Sequence, residues 1–144
     1  MLFRSLEVGQ KAPEFSLYNT EKNKVSLSDF KGKKVLVLFF PQSFTGVCTN
    51  ELCSVRDDIA KYEKADAQVL AVSVDSVFTL NKFKQDQNYN FPLLSDFNKE
   101  VSASYGAFYD SWILDMKGVA KRSAFVIDRD GVIRYAEEIG RAHV

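Results

Sequence analysis

The residues that could do chemistry lie in one short stretch, PQSFTGVC, which spaces Pro41, Thr45 and Cys48 as P-x-x-x-T-x-x-C. An apolar run from Val35 to Phe40 precedes it and predicts a buried strand. Apolar residues recur at steps of three and four after Cys48, which predicts a helix that begins near this cysteine. The N–H groups and dipole at a helix N-terminus lower the pKa of a thiol. The sequence therefore predicts a reactive thiolate at Cys48.

The neighbours of this cysteine indicate how the thiolate is stabilised. The single histidine, His143, lies at the chain end, so a Cys–His pair is disfavoured and a cation is expected instead. Thr45 brings a hydroxyl that both donates and accepts, and Pro41 gives the loop a fixed wall without an N–H donor. Each residue alone would fit a turn with a buried cysteine. Their combination between a strand and a helix favours a functional site.

Cys53, the second cysteine, follows the first by five residues. On a helix this spacing gives a rotation of about 140° and a Cα–Cα distance of roughly 8.6 Å. A disulfide needs less than about 7 Å, so Cys48 and Cys53 cannot bond while the helix is intact. Cys53 is then either a partner that requires the first turns to unwind, or a small apolar core residue beside Leu52.

Composition indicates a single domain over residues 1–144. The 19 basic and 19 acidic residues give a formal net charge of zero, which offers no support for nucleic-acid binding. We expect no membrane span, because no apolar run is long enough, and the N-terminus lacks the apolar core of a signal peptide. A cytoplasmic location with free thiols is expected. Two cysteines and one remote histidine are too few ligands for a zinc site, and no metal is expected.

The pattern of elements predicts an α/β fold with a central mixed sheet. Apolar runs at 35–40 and 69–74 predict strands, with helices after Cys48, over 77–86 and over 98–105. Shorter strands are predicted at 13–17, 25–27 and within FPLLSD, and a loop region extends to Lys121. DRDG between AFVI and VIRYA predicts a C-terminal β-hairpin. The final EEIGRAHV is too short to supply a covering helix, so the edge is bare, the chain is truncated, or the tail is a vector remnant.

Several segments together resemble a peroxiredoxin across nearly the whole chain. VGQKAPEF resembles the entry segment of that family, FFPQSFTGVCTNEL its active-site loop, SVDS and FPLLSD its middle section, and RSAFVIDRDGVIR its closing hairpin. The segments FTGVCTNELC and FPLLSDF are most similar to those of the AhpE-like branch. The PrxQ-like (bacterioferritin-comigratory) branch is the second most similar. The resemblance implies a thioredoxin-like fold and a thiol peroxidase that reduces hydrogen peroxide or an organic hydroperoxide without a cofactor.

The resemblance also implies roles for individual residues. Cys48 would be the peroxidatic nucleophile that becomes a sulfenic acid, with Thr45 holding the peroxide and Pro41 shielding the site. Arg122, in RSAF, stands where the family keeps its catalytic arginine. Glu51 matches a position that orients the arginines, although it is also an ordinary surface charge on a helix.

Two further residues each have two interpretations. Arg56 is a second candidate cation, because eight residues after Cys48 is slightly more than two helical turns, or else a surface charge. Cys53 matches the resolving cysteine often found in the PrxQ-like branch. Without that role, an external thiol reduces the sulfenic acid.

The resemblance implies a reducing thiol as partner, such as thioredoxin, a glutaredoxin-type protein or a low-molecular-weight thiol. It also favours a homodimer that forms through loops near a group of aromatic residues. Alternatively, these aromatic side chains pack over the sheet. The group comprises Tyr105, Phe108, Tyr109 and Trp112. A thiol–disulfide oxidoreductase is the nearest rival function, but it would place two cysteines two residues apart. A non-enzymatic redox sensor or interaction module that uses the same thiol is the other alternative.

Overall fold

The computed structural model describes residues 7–109 and 113–138, and for Val47 and Cys48 it describes the backbone alone. The strands are β1 (Ser16–Asn19), β2 (Lys24–Ser26), β3 (Lys34–Phe39), β4 (Ala67–Ser73), β5 (Leu93–Ser95), β6 (Phe108–Tyr109), β7 (Val119–Ala120), β8 (Ser123–Ile127) and β9 (Ile133–Glu138). The helices are α1 (Gly46–Asp57), α2 (Ile59–Lys64), α3 (Val77–Gln87) and α4 (Glu100–Ser104). Short 3₁₀ turns cover Leu27–Phe30 and Ile113–Asp115.

Seven strands form one mixed sheet in the order β2-β1-β5-β4-β3-β8-β9. Strands β3, β4 and β5 are parallel, whereas β8 runs antiparallel to β3 and β9 antiparallel to β8. The predicted α/β class, mixed sheet and C-terminal hairpin are therefore confirmed. In the hairpin turn the Asp128 N–H donates to the Val132 carbonyl, and Gly131 takes a φ of +82° that favours glycine.

Apolar side chains cover both faces of this sheet, because successive residues of a strand point to opposite sides. One face packs Phe39 and Phe125 against Tyr105, with ring centroids 5.4 and 5.3 Å from the tyrosine. On the other face, Phe40 and residues of α3 and β5 meet the buried Leu52 of α1. Helix α1 is thus held against the sheet by its own apolar stripe, which fixes where its N-terminus lies.

Several element boundaries differ from the sequence prediction. The first strand begins at Ser16 rather than Pro13, and α4 begins only at Glu100 because Lys99 has a left-handed φ of +69°. The segment after Cys48 forms two helices rather than one, because Asp58, with a ψ of 12°, ends α1 before α2 begins. The region predicted as loop contains β6 and β7, two-residue strands that carry too little pattern to be recognised.

The aromatic group of the sequence analysis does not form one surface. Tyr105 is fully buried in the core, and its hydroxyl donates to the Pro13 carbonyl at 2.8 Å. Phe108 and Tyr109 are half-buried. Trp112 lies outside the described residues, as do His143 and the tail from residue 139, so the expectation about a missing covering helix falls there too. Among the helices that the structure describes, none has the length and apolar character needed to cross a bilayer.

Candidate active site

The P-x-x-x-T-x-x-C loop joins the end of β3 to the start of α1. Pro41 is buried directly after the strand, and the Phe40 N–H still donates to the Val72 carbonyl of β4. Phe44 has a φ of +67°, an unfavourable left-handed conformation for a bulky residue, and its half-exposed ring packs 5.0 Å from that of Phe83. Backbone strain of this kind is concentrated at functional loops.

Helix α1 begins at Gly46, so the prediction that Cys48 lies in the first turn of a helix is confirmed for the backbone. Thr45 is the N-cap residue, and its carbonyl accepts the Thr49 N–H at 2.9 Å. The Thr45 hydroxyl does not cap the helix but donates to the Gln42 carbonyl at 3.0 Å. The first-turn N–H groups, which have no partner within a helix, therefore face the loop that holds Thr45.

Arg122 stands at the same end of the sheet as this loop. Strand β8 pairs Ser123 with Phe39, so Arg122, one residue earlier, lies where β3 runs out into the loop. Its side chain is only 2% exposed, although it carries a permanent charge. Buried charges in proteins are normally paired, so such burial indicates a role for the guanidinium.

Glu51 is the acidic partner of this arginine. Glu51 Oε2 lies 3.8 Å from Arg122 Nε, and both side chains are largely buried. Burial raises the pKa of Glu51, and the Arg122 charge opposes that rise. Position 51 follows position 48 by three residues, which places both on the same face of α1. The structure thus brings Arg122 to the helix face of the predicted nucleophile through Glu51.

Asp75, which the sequence analysis missed, anchors the loop. Its Oδ2 accepts hydrogen bonds from the Ser43 N–H and Ser43 hydroxyl, both at 2.7 Å, and from the Ser73 hydroxyl at 3.0 Å. Ser43 and Asp75 follow the carboxyl ends of the parallel neighbours β3 and β4, which meet at one edge of the sheet. The signal in the sequence was a polar residue within three positions of the end of each of two predicted strands, Ser43 after 35–40 and Asp75 after 69–74.

The structure describes Cys53 and Arg56 further along α1. Cys53 Sγ donates to Gln87 Oε1 at 3.5 Å, and the side chain packs at the edge of the core that contains Leu52. The Arg56 guanidinium donates to the Gln87 carbonyl at 2.6 Å and to Asp57 Oδ1 at 3.0 Å. The Arg56 guanidinium is therefore bound to the last turn of α1 and the end of α3, rather than to the loop between β3 and α1. Within residues 7–109 and 113–138, no group of three His, Cys, Asp or Glu side chains suits a metal ion.

Comparison with known proteins identifies the family. A model described as the AhpC/TSA family matches residues 8–136. The alkyl hydroperoxide reductase E of Mycobacterium tuberculosis is 41% identical over 135 residues, covering 92% of this chain and 85% of its own. A putative peroxiredoxin bcp of Coxiella burnetii is 44% identical over 131 residues, covering 90% and 86% of the two chains. The region that the family model matches includes the whole loop, the strand β3 before it and the helix α1 after it.

Solved structures have the same architecture. Peroxidoxin BcpB of M. tuberculosis matches with a TM-score of 0.84 at 28% identity, over 92% of this chain and 86% of its own. PrxQ of Xylella fastidiosa matches in fold with a TM-score of 0.88 at 22% identity, over 96% and 89%. The chain has the loop between β3 and α1 and a buried arginine beside this loop. It belongs to the AhpC/TSA family of peroxiredoxins and is a thiol-dependent peroxidase.

Proposed function

We propose that Cys48 is the peroxidatic nucleophile and that Arg122, Thr45 and Pro41 complete its site. The Cys48 thiolate attacks one peroxide oxygen, an S–O bond forms, and the O–O bond breaks. Cys48 becomes a sulfenic acid, and the second oxygen leaves as an alkoxide or hydroxide that takes up a proton. The buried Arg122 beside Glu51, on the helix face that carries position 48, is the observation that carries this proposal.

Arg122 acts by stabilising charge at both stages of the reaction. Its fixed positive charge favours the thiolate, and its forked N–H donors stabilise the charge that develops on the leaving oxygen. Glu51 orients the guanidinium as a positioning residue. The bonds of Arg56 to Gln87 and Asp57 favour a role as anchor of α1 over that of a second cation.

Thr45 and Pro41 control how the peroxide sits in the loop. The Thr45 hydroxyl donates to the Gln42 carbonyl, which leaves its oxygen directed as an acceptor for a peroxide O–H. The buried Pro41 ring excludes water at the base of the loop without adding a donor.

We infer that organic hydroperoxides are substrates together with hydrogen peroxide. The half-exposed Phe44 ring, adjacent to Thr45, offers an apolar surface for an alkyl group. A relative named alkyl hydroperoxide reductase E, with 41% identity, favours the same class. Stopped-flow competition between cumene hydroperoxide and hydrogen peroxide tests this inference, because Phe44→Ser should slow only the reaction with cumene hydroperoxide.

Peroxiredoxins take thiols as reductants, and we propose that Cys53 resolves the sulfenic acid in this chain. The resulting disulfide would then be reduced by thioredoxin, by a glutaredoxin-type protein or by a low-molecular-weight thiol. Because the cycle returns to free thiols, we propose the reducing cytoplasm as its location.

Intact mass and free-thiol count after one equivalent of hydrogen peroxide test the two cysteines. We expect the wild type to lose two thiols and about 2 Da, and Cys53→Ser to gain about 16 Da instead. A gain of about 16 Da in both proteins would leave Cys48 as the nucleophile and assign resolution to an external thiol. Cys48→Ser is the control, and its mass and thiol count should not change. An unchanged mass and thiol count in the wild type would contradict the assignment of Cys48 as the peroxidatic nucleophile.

We also propose that the protein forms a homodimer. Large aromatic side chains are exposed beside one groove of about 920 Å³: Tyr18, Phe78 and Phe97 are 49%, 70% and 63% exposed. Contiguous exposed apolar surface of this kind commonly marks an interface. Light scattering after size-exclusion chromatography tests the proposal. If Phe78→Asp remains a dimer, the dimer interface does not include this groove.

A further inference from the structure

Helix α1 has two ends that are held to the rest of the molecule in different ways. At its last turn, the Arg56 guanidinium donates to the Gln87 carbonyl at 2.6 Å, and Asn90 Nδ2 donates to the Arg56 carbonyl at 3.3 Å. These contacts fix the C-terminal end of α1 against the last residue of α3 and the segment that follows it. Any unwinding that would bring Cys48 and Cys53 together is therefore confined to the turns before Arg56.

The backbone of the earlier turns is contacted by a tyrosine from the segment after α3. The Tyr89 hydroxyl donates to the Thr49 carbonyl at 3.3 Å and lies 3.7 Å from Cys53 Sγ. In a helix the same Thr49 carbonyl accepts the N–H of the residue four positions later, which is Cys53. Tyr89 thus spans the single helical turn that has to open before the two cysteines can meet.

The tyrosine itself is rigidly positioned. Its side chain is buried, and its ring lies 5.1 Å from that of Phe83 and 5.4 Å from that of Phe91. The preceding residue, Asn88, ends α3 in a left-handed conformation that turns the chain back toward α1. A hydroxyl on such a fixed ring loses little conformational entropy when it binds, so its bonds to α1 stabilise the helix efficiently.

We propose that Tyr89 is a positioning residue that holds the first turns of α1 closed and thereby limits the rate at which Cys53 resolves the oxidised Cys48. The effect on resolution rests on the proposed two-cysteine function, whereas the closure of the helix does not. In the resolving step the Cys53 thiolate attacks the sulfenic sulfur of Cys48. The S–S bond forms, the S–O bond breaks, and the hydroxide that leaves takes up a proton to become water.

Tyr89→Phe tests the proposal, because it removes the hydroxyl and keeps the ring. Loss of one hydrogen bond should raise the population of the opened turns roughly fivefold. We expect backbone amides of residues 49–53 in the reduced protein to exchange with deuterium faster by that factor. Amides beyond Arg56 should keep their wild-type rates. Disulfide formation after peroxide addition, followed by rapid acid quench, should accelerate by a similar factor, with the rate of sulfenic acid formation changed less than about twofold.

Tyr105→Phe is the matched control. Its hydroxyl also donates to a backbone carbonyl, that of Pro13, but on the opposite face of the sheet from α1. The proposal is overturned if exchange at residues 49–53 is unchanged in Tyr89→Phe, or if it rises equally in Tyr105→Phe or along the whole of α1. If the exchange rises as expected but every protein accumulates only sulfenic acid, helix closure by Tyr89 stands and the two-cysteine function fails.

Discussion

At the scale of single residues, the proposed site contains a positive charge, that of Arg122, that is buried rather than exposed to solvent. Arg122 is almost completely enclosed, and its described acidic neighbour is Glu51 at 3.8 Å. A guanidinium in such surroundings acts in a low effective dielectric, where it stabilises a developing negative charge more strongly than it would in water. We therefore propose that the position of this one guanidinium determines much of the rate.

Arg122→Lys should lower the second-order rate constant for peroxide roughly 10²-fold, because the lysine keeps the charge but loses the forked donors. Stopped-flow measurement of thiol oxidation gives this constant directly. Arg129→Lys is the matched control, since Arg129 is exposed and pairs with Asp66 at 3.2 Å, away from the loop. Equal rates for Arg122→Lys and the wild type would contradict the assigned role.

Glu51 gives the stability of the protein a predictable pH dependence. Burial raises the pKa of Glu51 above its ordinary value near 4.5, despite the opposing charge of Arg122. The contribution of this group to stability is therefore present below the ordinary value, and it is lost as pH rises through the raised folded value.

In Glu51→Gln the side chain stays neutral, so that loss should not occur. The variant should therefore become more stable relative to wild type as pH rises, so the difference in the free energy of unfolding, variant minus wild type, should increase between about pH 4 and about pH 7. Urea unfolding at both pH values measures the difference. A difference that moves in the opposite direction would mean that Arg122 outweighs burial at this site.

At the scale of elements, the loop is fastened to two adjacent strands through one carboxylate. Asp75 Oδ2 receives three hydrogen bonds from Ser43 and Ser73, and the Ser95 hydroxyl donates to the Asp75 carbonyl at 2.6 Å. These bonds connect the loop after β3 to the ends of β4 and β5. The loop is thus positioned by the sheet edge as much as by its own proline.

Asp75→Ala should displace the loop and slow the reaction with peroxide roughly 10- to 100-fold, because a misplacement of about 1 Å has an effect of this size. Asp128→Ala is the control, since Asp128 also accepts backbone N–H bonds, from Asp130 and Val132, but in the distant hairpin. Both variants should lose stability, because each removes an acceptor of backbone N–H groups. A comparable loss of rate in both would reduce the role of Asp75 to stability alone.

At the scale of the whole molecule, one sheet carries the cores of both faces. Leu70 of β4 packs on one face and Leu93 of β5 on the other, and both are fully buried. Because β4 and β5 are directly paired, neither face can lose its packing without disturbing the strand that supports the other. We therefore expect the chain to unfold as a single domain.

Leu70→Ala and Leu93→Ala should each lower the free energy of unfolding by about 2–5 kcal/mol, and each should shift one shared transition. Leu114→Ala, at a position 84% exposed, should change it little. Urea unfolding followed by both tryptophan fluorescence and circular dichroism provides the measurement. Two separate transitions in either core variant would contradict a single cooperative domain.

The sequence by itself determined the local parts of this protein. The apolar run of β3, the start of α1 near Cys48 and the DRDG hairpin follow from residue periodicity and turn chemistry, which act over a few neighbouring positions. The tertiary structure alone decided which distant residues meet. The contacts of Ser43 with Asp75 and of Thr49 with Tyr89 join residues that are 32 and 40 positions apart. Such pairs depend on the strand order and on how α1 packs against the sheet, which local patterns do not encode.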